Sequence, residues 1–274
     1  MSIGIFDSGV GGITVLHDAL KLIPNADYLY YADTDNVPYG TKSKKEVRQF
    51  MLDAAEFLIG KSVAALVVAC NTATSAAIDD LRRLYSIPII GMEPAVKPAV
   101  KQNGNKRILV TATPLALKEE KLKNLILKFD NAHMVDLLPL PGLVHFAEGF
   151  VFGENAVLPY LQEQLHDYDL EKYGTVVLGC THYLYYKRIF NKLLPSHVHI
   201  IDGNAGTVKN LKRTIDEKGL AFSETGRITF FASGREITDP ETRARYIGFI
   251  SAYSEISKGF YEDRGISEDT GLAV

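Results

Sequence analysis

The chain contains two cysteines, Cys70 and Cys180, and both follow apolar segments with the character of buried strands. Each thiol is followed by residues that can form hydrogen bonds, in A-C-N-T-A-T and in G-C-T-H. A lone cysteine is most often a small buried hydrophobe. Two cysteines in matching settings favour chemistry instead, because a thiolate can remove a proton and a thiol can return one.

Other residues that can carry charge or protons lie at similar positions. In D-S-G-V-G-G, a strand that ends at Asp7 and Ser8 runs into glycines and then into a helical pattern, an arrangement typical of an anion-binding helix start. This motif matches neither a Walker A sequence nor G-x-G-x-x-G, so it predicts no nucleotide site. His182 follows Cys180 by two positions and could polarise that thiol or donate a proton to it.

The segments around the cysteines predict where the thiols sit. Cys70 ends a buried strand and Asn71 opens the helix pattern A-A-I-D-D-L-R-R-L; Cys180 precedes a second such pattern, Y-L-Y-Y-K-R-I-F-N-K-L-L. A thiol at a helix N-terminus is expected to have its pKa lowered from about 8.5 toward neutrality.

Short apolar runs alternate with helical patterns along the whole chain, which predicts an α/β fold with mainly parallel sheets flanked by helices. The strand-like runs are I-G-I-F, Y-L-Y-Y-A, A-L-V-V-A, I-P-I-I-G, R-I-L-V-T, V-V-L-G and H-V-H-I-I. Ser43 and Glu46 form a Ser-x-x-Glu capping box that predicts a helix start just after P-Y-G.

The chain also looks duplicated, since Asp7 and Cys70 end strands in its first part as Thr113 and Cys180 do in its second. We therefore expect two pseudo-symmetric α/β domains with the site in the cleft between them. The predicted limits are 1–94 plus 207–274 for a discontinuous first domain and 95–206 for an inserted second domain.

Composition narrows the class of protein. The 274 residues are 46% hydrophobic and carry a formal charge of -3, with no basic run to follow a phosphate backbone, so nucleic acid is not an expected partner. Neither a signal peptide nor a membrane-spanning run is evident, which predicts a cytoplasmic protein whose thiols stay unpaired. C-x-x-C, H-E-x-x-H and G-x-S-x-G are all absent from the sequence, and no metal site is predicted.

Two thiols that reach one cleft from opposite sides predict inversion of a carbon stereocentre. One thiolate removes the proton from one face while the other thiol supplies a proton to the opposite face. Such a reaction is symmetric and needs neither a metal nor pyridoxal, so the expected cofactor is none.

D-S-G-V-G-G, V-P-Y-G, A-C-N-T-A-T and G-C-T-H, in this order, resemble the motifs of cofactor-independent glutamate racemases. The resemblance spans Ile3 to about Gly234. It implies a two-domain α/β enzyme, a homodimer, that interconverts L- and D-glutamate and supplies D-glutamate for peptidoglycan.

The resemblance also implies roles for single residues. Cys70 would take the α-proton from D-glutamate and Cys180 the one from L-glutamate, with Asp7 and His182 assisting on their respective sides. The positions that would bind substrate are Asp7, Ser8, Tyr39, Gly40, Asn71, Thr72, Thr113, Glu148, Thr181 and His182.

The chain departs from the family pattern at two places, and the loss of a hydroxyl at one of them could alter substrate affinity or substrate choice. After G-C-T-H the family usually continues Phe-Pro-Leu, whereas this chain has Tyr183, Leu184 and Tyr185; and Ala116 stands where a second threonine is common. Three alternatives stay open: racemisation of aspartate, non-catalytic binding of acidic amino acids, and acyl transfer by one cysteine with His182 as its base.

Overall fold

Two β-sheets, each covered by helices, make up the fold seen in a computed structural model, which describes residues 1–103, 105–130, 133–223 and 225–265. The strands are β1 Ser2–Asp7, β2 Tyr28–Ala32, β3 Val63–Val68, β4 Ile89–Gly91, β5 Arg107–Ala112, β6 Val135–Pro139, β7 Tyr173–Leu178, β8 His199–Asp202, β9 Ile228–Ala232 and β10 Arg235–Glu236. The predicted α/β class is therefore correct.

Helices follow most of the strands, as parallel sheets require, since each crossover needs a connecting segment. They are α1 Ile13–Leu22, α2 Lys44–Gly60, α3 Asn71–Leu84, α4 Val96–Gln102, α5 Pro114–Lys118, α6 Glu120–Phe129, α7 Gly142–Glu148, α8 Glu154–Leu165, α9 Lys187–Leu193, α10 Asn204–Lys218 and α11 Pro240–Asp263. Tyr39–Thr41, Leu170–Lys172 and Thr181–Tyr186 form 3-10 turns.

The strand orders show the duplication that the sequence predicts. The first sheet has the order β10-β9-β2-β1-β3-β4 and the second β6-β5-β7-β8. The core order β2-β1-β3-β4 thus recurs as β6-β5-β7-β8, and every pair in both runs is parallel. Only the short β10 pairs antiparallel, with β9, among the described strands.

Parallel strands place their carboxyl ends at one edge of a sheet, where ligands of α/β proteins bind. In the first sheet β1 and β3 are neighbours, with Phe6 opposite Val68, so Asp7 and Cys70 emerge side by side. In the second sheet β5 and β7 are neighbours, with Thr111 opposite Leu178, so Thr113 and Cys180 do the same.

The chain passes from the first sheet to the second between β4 and β5 and returns through α10, which begins at Asn204. The domain limits 1–94 plus 207–274 and 95–206 stay a prediction.

The strand-like runs named from the sequence all form strands, and β1 after Ser2, β3 and β7 are buried throughout. The capping box is present: the Ser43 side chain accepts from the Glu46 amide, and the Glu46 carboxylate accepts from the Ser43 amide at 2.9 Å. Strands β6, β9 and β10 were not predicted.

No helix in the described ranges has the length and apolar character needed to span a bilayer.

Candidate active site

Asp7 lies at the end of β1, wholly buried, where the chain turns into the glycine-rich loop before α1. Its Oδ1 accepts a hydrogen bond from the Gly9 amide at 3.0 Å, and its Oδ2 accepts one from the Thr181 hydroxyl at 3.1 Å. Burial raises the pKa of Asp7 from 3.8 to about 6, although His182 and both hydrogen bonds oppose that rise. The carboxylate therefore joins the Cys70 side of the site to the Cys180 side.

Cys70 occupies the N-cap position of α3, as the sequence predicts. Its sulfur accepts a hydrogen bond from the Ala73 amide at 3.4 Å and lies 3.6 Å from the Ser8 hydroxyl, to which it is a donor. The expectation of a lowered pKa is wrong for this thiol: burial, with the negative charge of Asp7, raises its pKa to about 12. The helix N-terminus is outweighed by desolvation, so Cys70 holds its proton.

Cys180 has a different local structure from the one its sequence suggests. A 3-10 turn, Thr181–Tyr186, separates it from α9, so the sulfur caps no α-helix. His182 Nδ1 lies 3.8 Å from the Cys180 sulfur. The Cys180 thiol therefore lies beside an imidazole, whereas the Cys70 thiol contacts an amide at a helix N-terminus and a hydroxyl.

Glu148, at the end of α7, fixes the other side of the His182 ring. Its Oε1 lies 2.6 Å from His182 Nε2 and accepts a hydrogen bond from the Val10 amide at 2.9 Å. Burial alone would lower the pKa of His182, but hydrogen bonds to Cys180 and Glu148 and their charges raise it well above its usual value. A protonated imidazole can donate hydrogen bonds to both neighbours.

Contacts between the two sheets' loops close the site. The Thr72 and Thr113 hydroxyls are 2.8 Å apart, and a Cβ placed on Gly40 would overlap the Thr113 side chain. Thr113 also caps α5 by accepting from the Ala116 amide at 3.3 Å. Ala116 is buried in this turn and contributes to the second sheet's core.

The structure brings most of the predicted site residues into one buried cluster, with exposures of 0% for Asp7, 6% for Cys70, 7% for Cys180 and 2% for His182. The hydroxyl of Tyr39 already has a partner, because it donates a hydrogen bond to Asp33 at 2.6 Å. Asn71 is oriented with Oδ1 buried and without a hydrogen-bond partner among the described residues.

Sequence reasoning missed three residues that support the cluster. Asp33 follows β2 directly and accepts from Tyr39, Asn36 and Ser233, so its position at a strand end was a usable signal. Tyr30 and Tyr185 donate their hydroxyls to the carbonyls of Gly9 and Val10. Those acceptors belong to a distant loop, and no motif connects them to either tyrosine.

Known proteins resemble this chain over most of its length. Residues 14–211 match the model of the family Asp/Glu/Hydantoin racemase. A glutamate racemase of Halothermothrix orenii is 58% identical over 252 residues, which cover 91% of this chain and 99% of the relative.

Solved structures of similar fold include two with a bound amino acid. Glutamate racemase from Francisella tularensis in complex with D-glutamate has a TM-score of 0.76 and 29% identity, covering 91% of this chain and 93% of its own. The Escherichia coli glutamate racemase in complex with L-glutamate and the activator UDP-MurNAc-ala has a TM-score of 0.76 and 27% identity, covering 89% and 95%.

Proposed function

Because the chain belongs to the Asp/Glu/hydantoin racemase family and is an amino-acid racemase, we propose that it interconverts L- and D-glutamate by two-base proton transfer. One observation carries the mechanism: each sheet delivers a thiol to the same buried cluster, and each thiol has its own partners. Ser8 and Asp7 are the neighbours of Cys70. His182, which contacts Glu148, is the neighbour of Cys180.

In the direction from L to D, the thiolate of Cys180 removes the α-proton and the electron pair stays on the carbon, delocalised into the carboxylate. The thiol of Cys70 then gives its proton to the opposite face, which completes the D-isomer. Burial, with the charge of Asp7, raises the pKa of Cys70, so in the unliganded protein this thiol holds the proton that it gives in this direction. The reverse direction exchanges the two roles.

No redox change occurs, and both protons are handled by protein groups, so we propose that neither a metal nor pyridoxal takes part. The negative charge that develops on the substrate carboxylate needs hydrogen-bond donors beside it. The Thr181 hydroxyl, which donates to Asp7 in the structure, is one donor of the cluster that could turn to it.

The amino acid itself would be held by hydroxyls, an amide and backbone N–H groups at helix starts. Asn71 supports this, since its buried Oδ1 has no hydrogen-bond partner among the described residues and a substrate ammonium group could donate to it. Ser8, Thr72, Thr113 and Thr181 line the same cluster, and Gly40 allows the close approach of Thr113. Tyr39 would act indirectly, through the turn that it anchors on Asp33.

We further propose that the product supplies peptidoglycan synthesis in the cytoplasm, and so cell-wall biogenesis and cell shape, with the enzyme acting as a homodimer. The similarity to curated glutamate racemases supports the first part. Aspartate, with one methylene fewer, is the second candidate substrate, because the same two thiols could exchange its α-proton.

Purified protein treated with a chelator and incubated with L-glutamate should lose optical activity without added cofactor, and L-aspartate should react far more slowly. Circular dichroism of the amino acid follows both reactions. Faster loss with aspartate would favour the aspartate racemase alternative. Tight binding of glutamate with no change of its chirality would favour the non-catalytic binder, and a trapped acyl-enzyme would favour acyl transfer.

A further inference from the structure

The peptide unit that joins Gly9 to Val10 is held at both of its polar ends. Its carbonyl oxygen accepts a hydrogen bond from the Tyr30 hydroxyl at 2.7 Å, and its N–H donates to Glu148 Oε1 at 2.9 Å. Tyr30 lies on β2 and is fully buried. The tyrosine and the glutamate therefore fix one peptide plane from opposite sides.

The same Glu148 oxygen lies 2.6 Å from His182 Nε2, and His182 Nδ1 faces the Cys180 sulfur at 3.8 Å. The orientation of the imidazole thus depends on where Glu148 sits, and Glu148 is placed in part by the Val10 amide. A hydrogen bond to an amide's carbonyl also polarises the amide and strengthens its N–H as a donor. A continuous chain of contacts leads from the Tyr30 hydroxyl to the Cys180 thiol.

We propose that Tyr30 is a positioning residue for the proton transfer at Cys180, acting through the Gly9–Val10 peptide, Glu148 and His182. This inference rests on the proposed racemase function. Tyr30 does not act on the reacting atoms, and the chain of contacts leads from it to the thiol on the far side of the cluster.

A second tyrosine holds the loop from the other sheet. Tyr185 lies in the 3-10 turn after Cys180 and donates its hydroxyl to the Val10 carbonyl at 3.2 Å. The departure from Phe-Pro-Leu therefore supplies a further support for the loop. Burial and the charge of Asp7 raise the pKa of Tyr30 well above its usual value, so its hydroxyl stays a donor.

The strand β2 offers a matched control. Tyr28 is also fully buried and also donates its hydroxyl to main-chain carbonyls, those of Ala19 and Ile23 at 3.1 and 2.9 Å. Those carbonyls lie near the end of α1, away from the cluster. Tyr28→Phe and Tyr30→Phe each delete one hydroxyl from one strand, but only the second deletion reaches Glu148.

Deuterium isotope effects distinguish positioning from a general structural role. The two enantiomers have equal free energy, so kcat/KM must be equal in the two directions for any variant. If Tyr30→Phe slows only the transfer at Cys180, the isotope effect on kcat/KM should rise with L-glutamate deuterated at the α-carbon and fall with the deuterated D-isomer. We expect kcat/KM itself to fall about tenfold, as for loss of one buried hydrogen bond.

Tyr28→Phe should leave both isotope effects at their wild-type values, and Tyr185→Phe should shift them in the same sense as Tyr30→Phe. Tyr185→Phe also serves as the test should Tyr30→Phe not fold. Isotope effects in Tyr30→Phe and Tyr185→Phe that equal those of the wild type would overturn the proposal. So would the opposite change, in which the isotope effect rises with deuterated D-glutamate and falls with deuterated L-glutamate. A wild-type protein that does not racemise glutamate would instead refute the proposed function.

Discussion

At the scale of single residues, the site places Asp7 and Cys70 where their charged forms are disfavoured. Asp7 is wholly buried among Thr181, Gly9 and the nearby thiol, and burial together with the charge of Asp7 raises the pKa of Cys70. Catalytic groups are commonly held in such environments, because the same burial that costs stability tunes proton transfer. We therefore expect the Asp7 carboxylate to lower the stability of the folded protein at neutral pH and to be needed for racemisation.

Replacing Asp7 by Asn should stabilise the protein at neutral pH while it impairs racemisation. The pKa of the Asp7 carboxyl is about 6 in the folded protein and 3.8 in the unfolded chain. The free energy of unfolding therefore falls by about 3 kcal/mol in total as pH rises between those two values. That cost is constant above pH 6 and absent below about pH 4. Thermal unfolding at pH 4.5 and 7.5 measures the difference.

Asp79→Asn, on the exposed part of α3, controls for the simple loss of a negative charge. An Asp7→Asn protein that is less stable than the wild type at pH 7.5 would mean that the hydrogen bonds from Gly9 and Thr181 outweigh the burial of the charge.

At the scale of elements, the loop between β1 and α1 is the part on which both halves of the site depend. Its amides contact Asp7 and Glu148, and its carbonyls contact Tyr30 and Tyr185. Glycine is required where a carboxylate approaches the backbone this closely, since a Cβ on Gly9 would overlap the Glu148 carboxylate.

Gly9→Ala should therefore displace Glu148 and reduce kcat by about a hundredfold, the scale of effect expected when catalytic groups move by an ångström. Gly206→Ala in α10, where a Cβ would meet no atom within 4 Å, is the matched control and should keep full activity. Steady-state kinetics of the two variants compare them directly. Wild-type activity in Gly9→Ala would show that the Glu148 contact is not needed.

The elements that were predictable carry local signals, and the others do not. Strand β3 is a continuous apolar run, and α2 begins with a capping box, so both could be predicted from short windows. The 3-10 turn after Cys180 could not, because Tyr183–Tyr186 look helical in sequence and are fixed instead by packing against α7, α9 and α11. Strand β9 was missed because it completes the first sheet from far along the chain, beside β2.

At the scale of the whole molecule, contacts between loops of the two sheets cover the buried cluster, and we predict that substrate enters when those contacts open. Besides the Thr72–Thr113 contact, Lys44 at the start of α2 pairs with Glu119 before α6, and Lys121 pairs with Glu93 at 3.0 Å. Such contacts favour the closed state and thereby the bound substrate.

Glu119→Gln removes the closing ion pair and should raise the KM for glutamate about two- to fivefold with little loss of kcat. The control variant is Glu120→Gln, because the neighbouring Glu120 is exposed and pairs with Lys123 within α6. Initial rates over a range of glutamate concentrations give both constants. An unchanged KM in Glu119→Gln would indicate that this ion pair does not contribute to closure.

That Cys70 and Cys180 each follow a buried strand was predictable from short windows, and the repeated strand order makes those two strands equivalent. The raised pKa of Cys70 was not predictable, because it depends on how completely the halves bury the thiol and on the charge of Asp7. Nor was the contact between Glu148 and His182, which joins residues from α7 and the turn after β7.

In the proposed mechanism, two different groups exchange protons with opposite faces of the α-carbon. Its most direct test is proton NMR of L-glutamate incubated with the enzyme in D2O and stopped at low conversion. Two-base transfer predicts deuterium at the α-carbon of nearly all the D-glutamate formed and protium in the L-glutamate that remains. Substantial protium in the product, or equal deuterium in both isomers, would point to a single base and refute the two-base mechanism.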